Sequence, residues 1–405
     1  MKKNRRDFIK KTTALTSLAL TPLASTSALA STRHPKTEVG QTSTSTRLLQ
    51  TVVGQASTSA SKLKIQWPLS EGPHTPKMVS GLRINADEKA MRRLKQIGIN
   101  YVSSVALPGQ WDETTLRGHM DNFKKHGLSL YNLMYVIGPD IVLARPTRDK
   151  EIDMFIESLK VAGKCGLPNV EYNWYVDRLI EGYYEVEARG GSGVTGFDYS
   201  KVKDLPAKPE IGIHKADEIW ANLTYFLKAV IPVAEKAGVR MALHPNDPVS
   251  QQSHGSDQIM ANLAGWKRMI AIVDSPSNGI TFDCGVTKEL GEDPVEVCKY
   301  FASRDRINHM HFRNVITEIP YDKYVEVFID EGQVNMFAVM QELMKHGYNR
   351  GLWAEHPHIL DYDKEFPGGE RRSGGPAGGG GGGGYAAECF NAGFARAMMW
   401  SVMSM

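Results

Sequence analysis

From residue 63 onward the chain repeats one unit: a short apolar run, a Gly or Pro, then a longer amphipathic run. The short runs fall at 63–67 (LKIQW), 101–105 (YVSSV), 128–135 (LSLYNLMY), 169–174 (NVEYNW), 239–243 (VRMAL), 279–283 (GITFD), 307–312 (INHMHF) and 351–355 (GLWAE). Their length and β-branched or aromatic content read as strands. The segments between them, 87–97, 113–126, 149–164, 216–237, 259–274, 294–303 and 335–346, read as helices with one apolar face, and 385–404 closes the chain. Gly98, Gly127, Gly238 and Gly347 stand where a helix C-terminus favours a left-handed cap. Eight strands alternating with eight helices predict one α/β domain over 62–405, a (β/α)8 barrel. The rival, a doubly wound open sheet, would carry a Gly-rich phosphate turn after its first strand, and the sequence has none there.

Two connections break the rhythm. One, 175–214 after strand four, holds Tyr183-Tyr184 and Gly190-Gly191-Ser192-Gly193; the other, 359–384 after strand eight, holds the glycine run Gly378–Gly384. Long loops in compact domains often serve function, and both would lie on the C-terminal face of the barrel. The glycine run reads as a spacer or a lid.

Charge is uneven along the chain. Of the net +3, residues 1–30 hold +5, which leaves −2 on the rest. A faintly acidic body gives no general reason to bind nucleic acid. Residues 1–30 combine a basic start, a soft apolar stretch from Ala14 to Ala28 and the small-residue site Ala28-Leu29-Ala30, the pattern of a cleaved signal peptide. Asn4-Arg5-Arg6-Asp7-Phe8-Ile9-Lys10 resembles a twin-arginine export signal; the alternative is a chance Arg pair in an ordinary leader. The Ser/Thr-rich stretch 31–61 reads as a flexible linker. No later run offers the roughly 18–20 apolar residues that cross a bilayer, so the expectation is an exported, periplasmic protein without stable membrane insertion. Its four cysteines (Cys165, Cys284, Cys298 and Cys389) show no paired spacing and read as free thiols rather than bridges.

Chemistry concentrates where the later strands end. Strand five ends at His244 in a His-Pro-Asn-Asp-Pro run, and strand six at Asp283 before Cys284. Strand seven carries His309 and His311, and strand eight ends in Glu355-His356-Pro357-His358. In a barrel these ends share one rim, so His244, Asp283, His311 and Glu355 are expected to hold one divalent ion through imidazole and carboxylate donors. Alternation turns Thr281 and Asp283 to the axis and Phe282 outward, which favours Asp283 over Cys284 as ligand. Cys284 sits at the turn, however, and a thiolate there stays open as a softer donor. His356 is placed to trade protons near neutral pH. Arg313 reads as a clamp for a substrate carboxylate or as a rim salt bridge, and Tyr385 as a phenolic acid or a packing residue.

At these residues the sequence resembles the mannonate dehydratase family, within the xylose-isomerase-like barrels. The likeness is strongest from Asn222 to Asn314, through the run 223–248 ending in His244-Pro245-Asn246-Asp247-Pro248, through Ile272-Val273-Asp274-Ser275-Pro276-Ser277-Asn278-Gly279, and through His311-Phe312-Arg313-Asn314. It continues more weakly at Pro146–Asp149, at Tyr172-Asn173-Trp174 and at Glu355–His358. The resemblance implies dehydration of D-mannonate to 2-keto-3-deoxy-D-gluconate with Mn²⁺ or Fe²⁺. It places family metal ligands on His244 and His311, and it replaces the family's strand-six Cys by Asp283 and its strand-eight Asp by Glu355. It puts the family's histidine on His356 and its tyrosine near Tyr385. With Arg313, the residues Asn173, Trp174, His309 and His358 are expected at the sugar acid. Carboxylates at 283 and 355 look like the isomerase and epimerase relatives, so a sugar isomerase or epimerase is the alternative activity, and a non-catalytic sugar-binding module the third reading. A second copy of the chain is a candidate partner, as a homo-oligomer.

Overall fold

The computed structural model describes residues 69–105, 109–365 and 383–405. The leader at 1–30, the linker at 31–61, the expected strand at 63–67 and residues 378–382 of the glycine run lie outside the described residues.

Eight parallel strands close into a barrel: Lys77–Gly81, Tyr101–Val105, Ser129–Tyr135, Asn169–Tyr172, Arg240–Leu243, Asn278–Asp283, Ile307–His311 and Gly351–Trp353. Each pairs with its neighbour in sequence, and the ring shuts where Met78 pairs with Leu352. The last seven stand within two residues of the expected positions. The first does not, because it lies at Lys77–Gly81 rather than at 63–67. The sequence hides this strand: KMVSG has only two large apolar residues. Gly81 is required there because the Trp353 ring lies where a Cβ would sit, 2.6 Å away.

The helices form the outer layer. Ala216–Ala237 presents Ile219, Leu223, Phe226, Leu227, Val230, Ile231 and Ala234 on one buried stripe at three- and four-residue spacing. Its end packs so closely on helix Arg148–Cys165 that a Cβ on Gly163 would come 2.5 Å from the Ala237 carbonyl oxygen. Phe226 is fully buried among Phe155, Tyr172 and Trp174, with ring centroids 5.3, 5.9 and 5.4 Å away. All four cysteines are free thiols.

The connection after strand four is not the irregular loop that its glycines imply. It carries strands Tyr183–Glu187 and Gly193–Asp198, which join Asn314–Ile319 and Lys323–Val327 in a four-stranded antiparallel sheet. Two excursions of the chain, more than a hundred residues apart, therefore complete each other: Tyr324 pairs with Phe197, and Val325 with Gly196. Phe197 stacks on Tyr324 at 5.4 Å. Past strand eight, Ile359 bridges to Gly193, and the short helix Asp361–Glu365 follows.

Replacing Phe226 by Ala removes the side chain that ties the longest helix to strand four. It should lower stability by about 3–5 kcal/mol, read as a lower urea midpoint at unchanged slope; a loss within error would show that this contact does not hold helix to barrel.

Candidate active site

Alternation along the strands fills the barrel interior with polar side chains on one side. Asn132 donates to Ser103 Oγ (3.0 Å) and to Glu171 Oε2 (2.6 Å), Thr281 donates to Glu171 Oε1 (2.8 Å), and Asn169 donates to Asn132 Oδ1 (2.7 Å). Glu171 is buried beneath the rim. Burial pushes its carboxyl up, but His311, His309 and His244 outweigh that and hold it below the ordinary range.

Above this floor four side chains from successive strands converge. His244 Nδ1 lies 2.7 Å from the Pro245 carbonyl oxygen, which places the proton on Nδ1 and turns the Nε2 lone pair inward. That Nε2 stands 3.1 Å from His311 Nδ1. Asp283 Oδ2 lies 3.9 Å from both ring nitrogens, and Glu355 Oε2 lies 3.6 Å from His311 Nδ1. The two nitrogens share a hydrogen bond as they stand and are close enough for both to serve one cation. His311 Nε2 faces Glu171 Oε1 at 3.4 Å, the carboxylate–histidine arrangement that orients a ligating ring. Burial lowers the His311 ring to about 3, so it presents a neutral imidazole at ordinary pH.

Beside these donors lies Arg313, also buried. Its Nε donates to Asp283 Oδ2 (2.9 Å), Nη1 to Glu289 Oε1 (2.7 Å) and Nη2 to Asp247 Oδ2 (3.3 Å), while Glu355 and Glu326 stand at 3.4 and 3.7 Å. Asp283 also caps the helix Cys284–Glu289 by accepting from Val286 N (2.8 Å). Burial pushes the Asp283 carboxyl up, Glu355 adds to this, and Arg313 and His244 pull it back. Burial pushes Glu289 far up as well, toward a neutral carboxyl.

His356 has its Nδ1 2.7 Å from Glu326 Oε2 and its Nε2 3.1 Å from Glu355 Oε2. Burial would lower this imidazole, but Glu326 and Glu355 raise it well above its ordinary value, so it carries a proton. Its backbone φ is 51°, a left-handed conformation uncommon outside glycine and a mark of strain held at functional sites.

The buried charges do not balance. Glu171, Asp247, Asp283, Glu289, Glu326 and Glu355 surround Arg313, Arg178 and His356. Six carboxyl groups face three positive ones. Buried carboxylates need compensation, and a divalent cation would contribute to it. The donor set therefore fits a divalent ion.

A cavity of about 520 Å³ opens onto this cluster. Glu171, Asn173, His244, Asp247, His311, Glu355 and His356 line it, with Arg83, Asn85, Ser104 and Trp353 among the other lining residues. The expected substrate contacts divide. Asn173 lines the cavity, but Trp174 is buried against Phe226 and belongs to the core. His309 lies buried, its ring centroid 5.3 Å from that of His311 and outside the cavity lining. His358 packs on Phe328 at 4.4 Å and is lowered by burial to about 4. The Arg313 guanidinium is fully engaged by the protein's own carboxylates, so it is not a substrate clamp. Tyr385 donates to the carbonyl of Arg93 (2.9 Å) on the outer helix Glu88–Gln96, away from the cluster, so it supplies no acid there. Cys284 Sγ donates to the carbonyls of Arg313 (3.2 Å) and His311 (3.5 Å), and burial pushes its thiol far up; it is a structural thiol, not a thiolate ligand.

Sequence reading missed Glu171, Asp247, Glu289, Glu326 and Arg83. Glu171 carried a signal, since inward alternation on strand four puts a carboxylate beside Asn169. Asp247 sat in the His-Pro-Asn-Asp-Pro run without a role. Glu326 carried none, because it arrives on the antiparallel sheet whose pairing is non-local.

Comparison with known proteins follows these lines. Residues 85–373 match the family model described as D-mannonate dehydratase (UxuA). Mannonate dehydratase 2 of Halalkalibacterium halodurans is 27% identical over 314 residues, 70% of this chain and 91% of that protein. Mannonate dehydratase of Enterococcus faecalis is 29% identical over 326 residues, 70% and 89% of the two chains. Among solved structures, mannonate dehydratase from Streptococcus suis serotype 2 superposes with TM-score 0.70 at 24% identity, over 81% of this chain and 95% of that one. D-psicose 3-epimerase from Clostridium cellulolyticum H10, solved with D-tagatose, gives TM-score 0.50 at 12% identity over 80% and 99%, a likeness of fold.

Arg313 is the test of the charge cluster. Arg313→Met should destabilise the protein by about 3–5 kcal/mol in urea unfolding, because it leaves carboxylates buried without their guanidinium. Arg313→Lys should recover only part of this, since one ammonium cannot reach Asp283, Glu289 and Asp247 together. A neutral outcome for both would show that the carboxylates are compensated elsewhere.

Proposed function

This chain belongs to the D-mannonate dehydratase family, and from that premise we propose that it dehydrates D-mannonate to 2-keto-3-deoxy-D-gluconate with Mn²⁺ or Fe²⁺. It is an enzyme of the hydro-lyase class on a xylose-isomerase-like barrel. The observation that carries the reading is the convergence of the His244 and His311 imidazoles with Glu355 on the wall of a cavity large enough for a six-carbon acid, with the Asp283 carboxylate buried next to them.

His244, His311, Asp283 and Glu355 would hold the ion. A mixed nitrogen and oxygen set with no thiolate suits Mn²⁺ or Fe²⁺. The ion supplies positive charge where negative charge develops on the sugar acid as C2 loses its proton. The residues supply the rest. Glu171 holds the His311 ring through Nε2, which would leave Nδ1 to hold the ion. Glu326 fixes His356 through Nδ1 and Glu355 lies 3.1 Å from its Nε2, and as a residue of the cavity lining His356 would exchange a proton with the substrate through Nε2. The C2 proton passes to a carboxylate of the cavity wall, Asp247, and loss of water from C3 needs a proton on the departing hydroxyl, for which His356 Nε2 is the donor. Arg313 holds Asp283 in place and leaves the substrate to other groups.

The leader composition supports a second proposal, export of the folded, loaded protein to the periplasm by the twin-arginine route. Arg5→Lys with Arg6→Lys should then move the protein from the periplasmic to the cytoplasmic fraction. Unchanged fractionation would overturn the route.

The activity is tested by incubating the purified Mn²⁺-loaded full chain with a panel of aldonic acids and identifying products. Keto-deoxy acid from D-mannonate is expected; interconversion of neutral sugars without it would replace the dehydratase with an isomerase or epimerase. His311→Ala should lose the bound ion in metal analysis after dialysis, whereas Cys284→Ser should keep it, and the reverse pattern would move the ligand to the thiol. Glu326→Gln and His356→Asn should each lower kcat by about 10²–10⁴-fold with metal content unchanged; full turnover in both would remove His356 from the chemistry.

A further inference from the structure

A sugar acid is an anion, and it must enter a cavity whose lining is rich in carboxylates, Glu171, Asp247 and Glu355. Some cation must recognise it. Arg313 is spent on Asp283, Glu289 and Asp247. Two other arginines line the cavity, Arg83 and Arg178. Arg178 is held in the wall: its Nε donates to the Asp247 carbonyl (2.6 Å), and its guanidinium lies 5.8 and 5.9 Å from the rings of Tyr175 and Tyr183.

Arg83 differs. It is exposed at the mouth and forms no ion pair among the described residues. Its backbone is nonetheless fixed. Leu82 N donates to Ser103 O (2.9 Å), extending the barrel ladder past Gly81, and Arg83 O accepts from Ala86 N (3.0 Å) at the turn into the first helix. A second observation stands beside it on the same wall. Ser104, 5% exposed, lines the cavity, and its Oγ has no hydrogen-bond partner among the described residues. A buried hydroxyl without a partner is unfavourable unless something brought into the cavity satisfies it.

We propose that Arg83, assisted by the Ser104 hydroxyl, recognises the carboxylate of the sugar acid and makes the site selective for anionic substrates. A carboxylate has two oxygens. Arg83 takes them through charge-assisted hydrogen bonds. Arg83 is thus a specificity-determining residue just past the first strand, and it takes the clamp role that was one of the two sequence readings of Arg313. The inference rests on the sugar-acid reading given above.

Calorimetric titration of the Mn²⁺-loaded full chain with D-mannonate, and with the neutral polyol D-mannitol, separates the outcomes. Arg83→Gln should weaken mannonate binding and raise KM by about 10- to 100-fold, with kcat changed far less and metal content and mannitol binding unchanged. Arg83→Lys should restore part of the loss, and Ser104→Ala should show a smaller effect of the same kind. Unchanged mannonate binding in Arg83→Gln, or equal weakening of mannonate and mannitol, would overturn the proposal. Wild-type protein that binds no aldonate would instead overturn the substrate reading, and this inference with it.

Discussion

The active end of this barrel is organised by a shortage of positive charge. Six carboxyl groups are buried within reach of two guanidiniums and one imidazolium. Such a cluster persists in a folded protein only when hydrogen bonds and counter-charges meet nearly every oxygen. Arg313 meets most of them, and its flat, forked guanidinium is suited to the task because its three nitrogens serve different carboxylates at once. What Arg313 leaves uncompensated lies toward His244 and His311, where a divalent ion fits. Charge balance and ligand geometry, two independent arguments, arrive at the same place.

The architecture explains how one guanidinium can reach so many partners. Parallel strands bring Asp283, His311 and Glu355 to one rim through register alone, since Asp283 pairs with His311 and His311 with Trp353. The added antiparallel sheet brings Glu326 in from the side, and Tyr183 and Tyr324 donate to Asp247 Oδ1 at 2.6 and 3.1 Å. The sheet is therefore part of the site: it supplies the carboxylate that orients His356 and fastens the one that faces Arg313.

Much of this was legible in the chain. Strand and helix periods, spaced by cap glycines, gave the barrel and seven of its strands. Alternation along the sixth strand pointed Asp283 inward and Phe282 to the core, as found. Illegible features share a cause. The first strand is short and weakly apolar because Gly81 makes room for Trp353, a contact between the two ends of the barrel. Glu326 lies on a strand whose partners are more than a hundred residues away. Arg313, two residues past a ligand, looks like a substrate clamp until the count of carboxylates around it is known. Tyr385 looks like an acid until its hydroxyl is found on the Arg93 carbonyl. Sequence reports which donors reach the rim, whereas tertiary packing decides which of them remain free for a ligand.

The central claim is that one cation is held jointly by His244 and His311 together with Asp283 and Glu355. Pulsed electron paramagnetic resonance of the Mn²⁺-loaded full chain, with its histidines labelled with ¹⁵N, tests it most directly. The account predicts one tightly bound ion per chain coupled to two imidazole nitrogens, with one coupling lost in His244→Ala. An ion showing no nitrogen coupling, or a protein that retains no tightly bound ion, would contradict it.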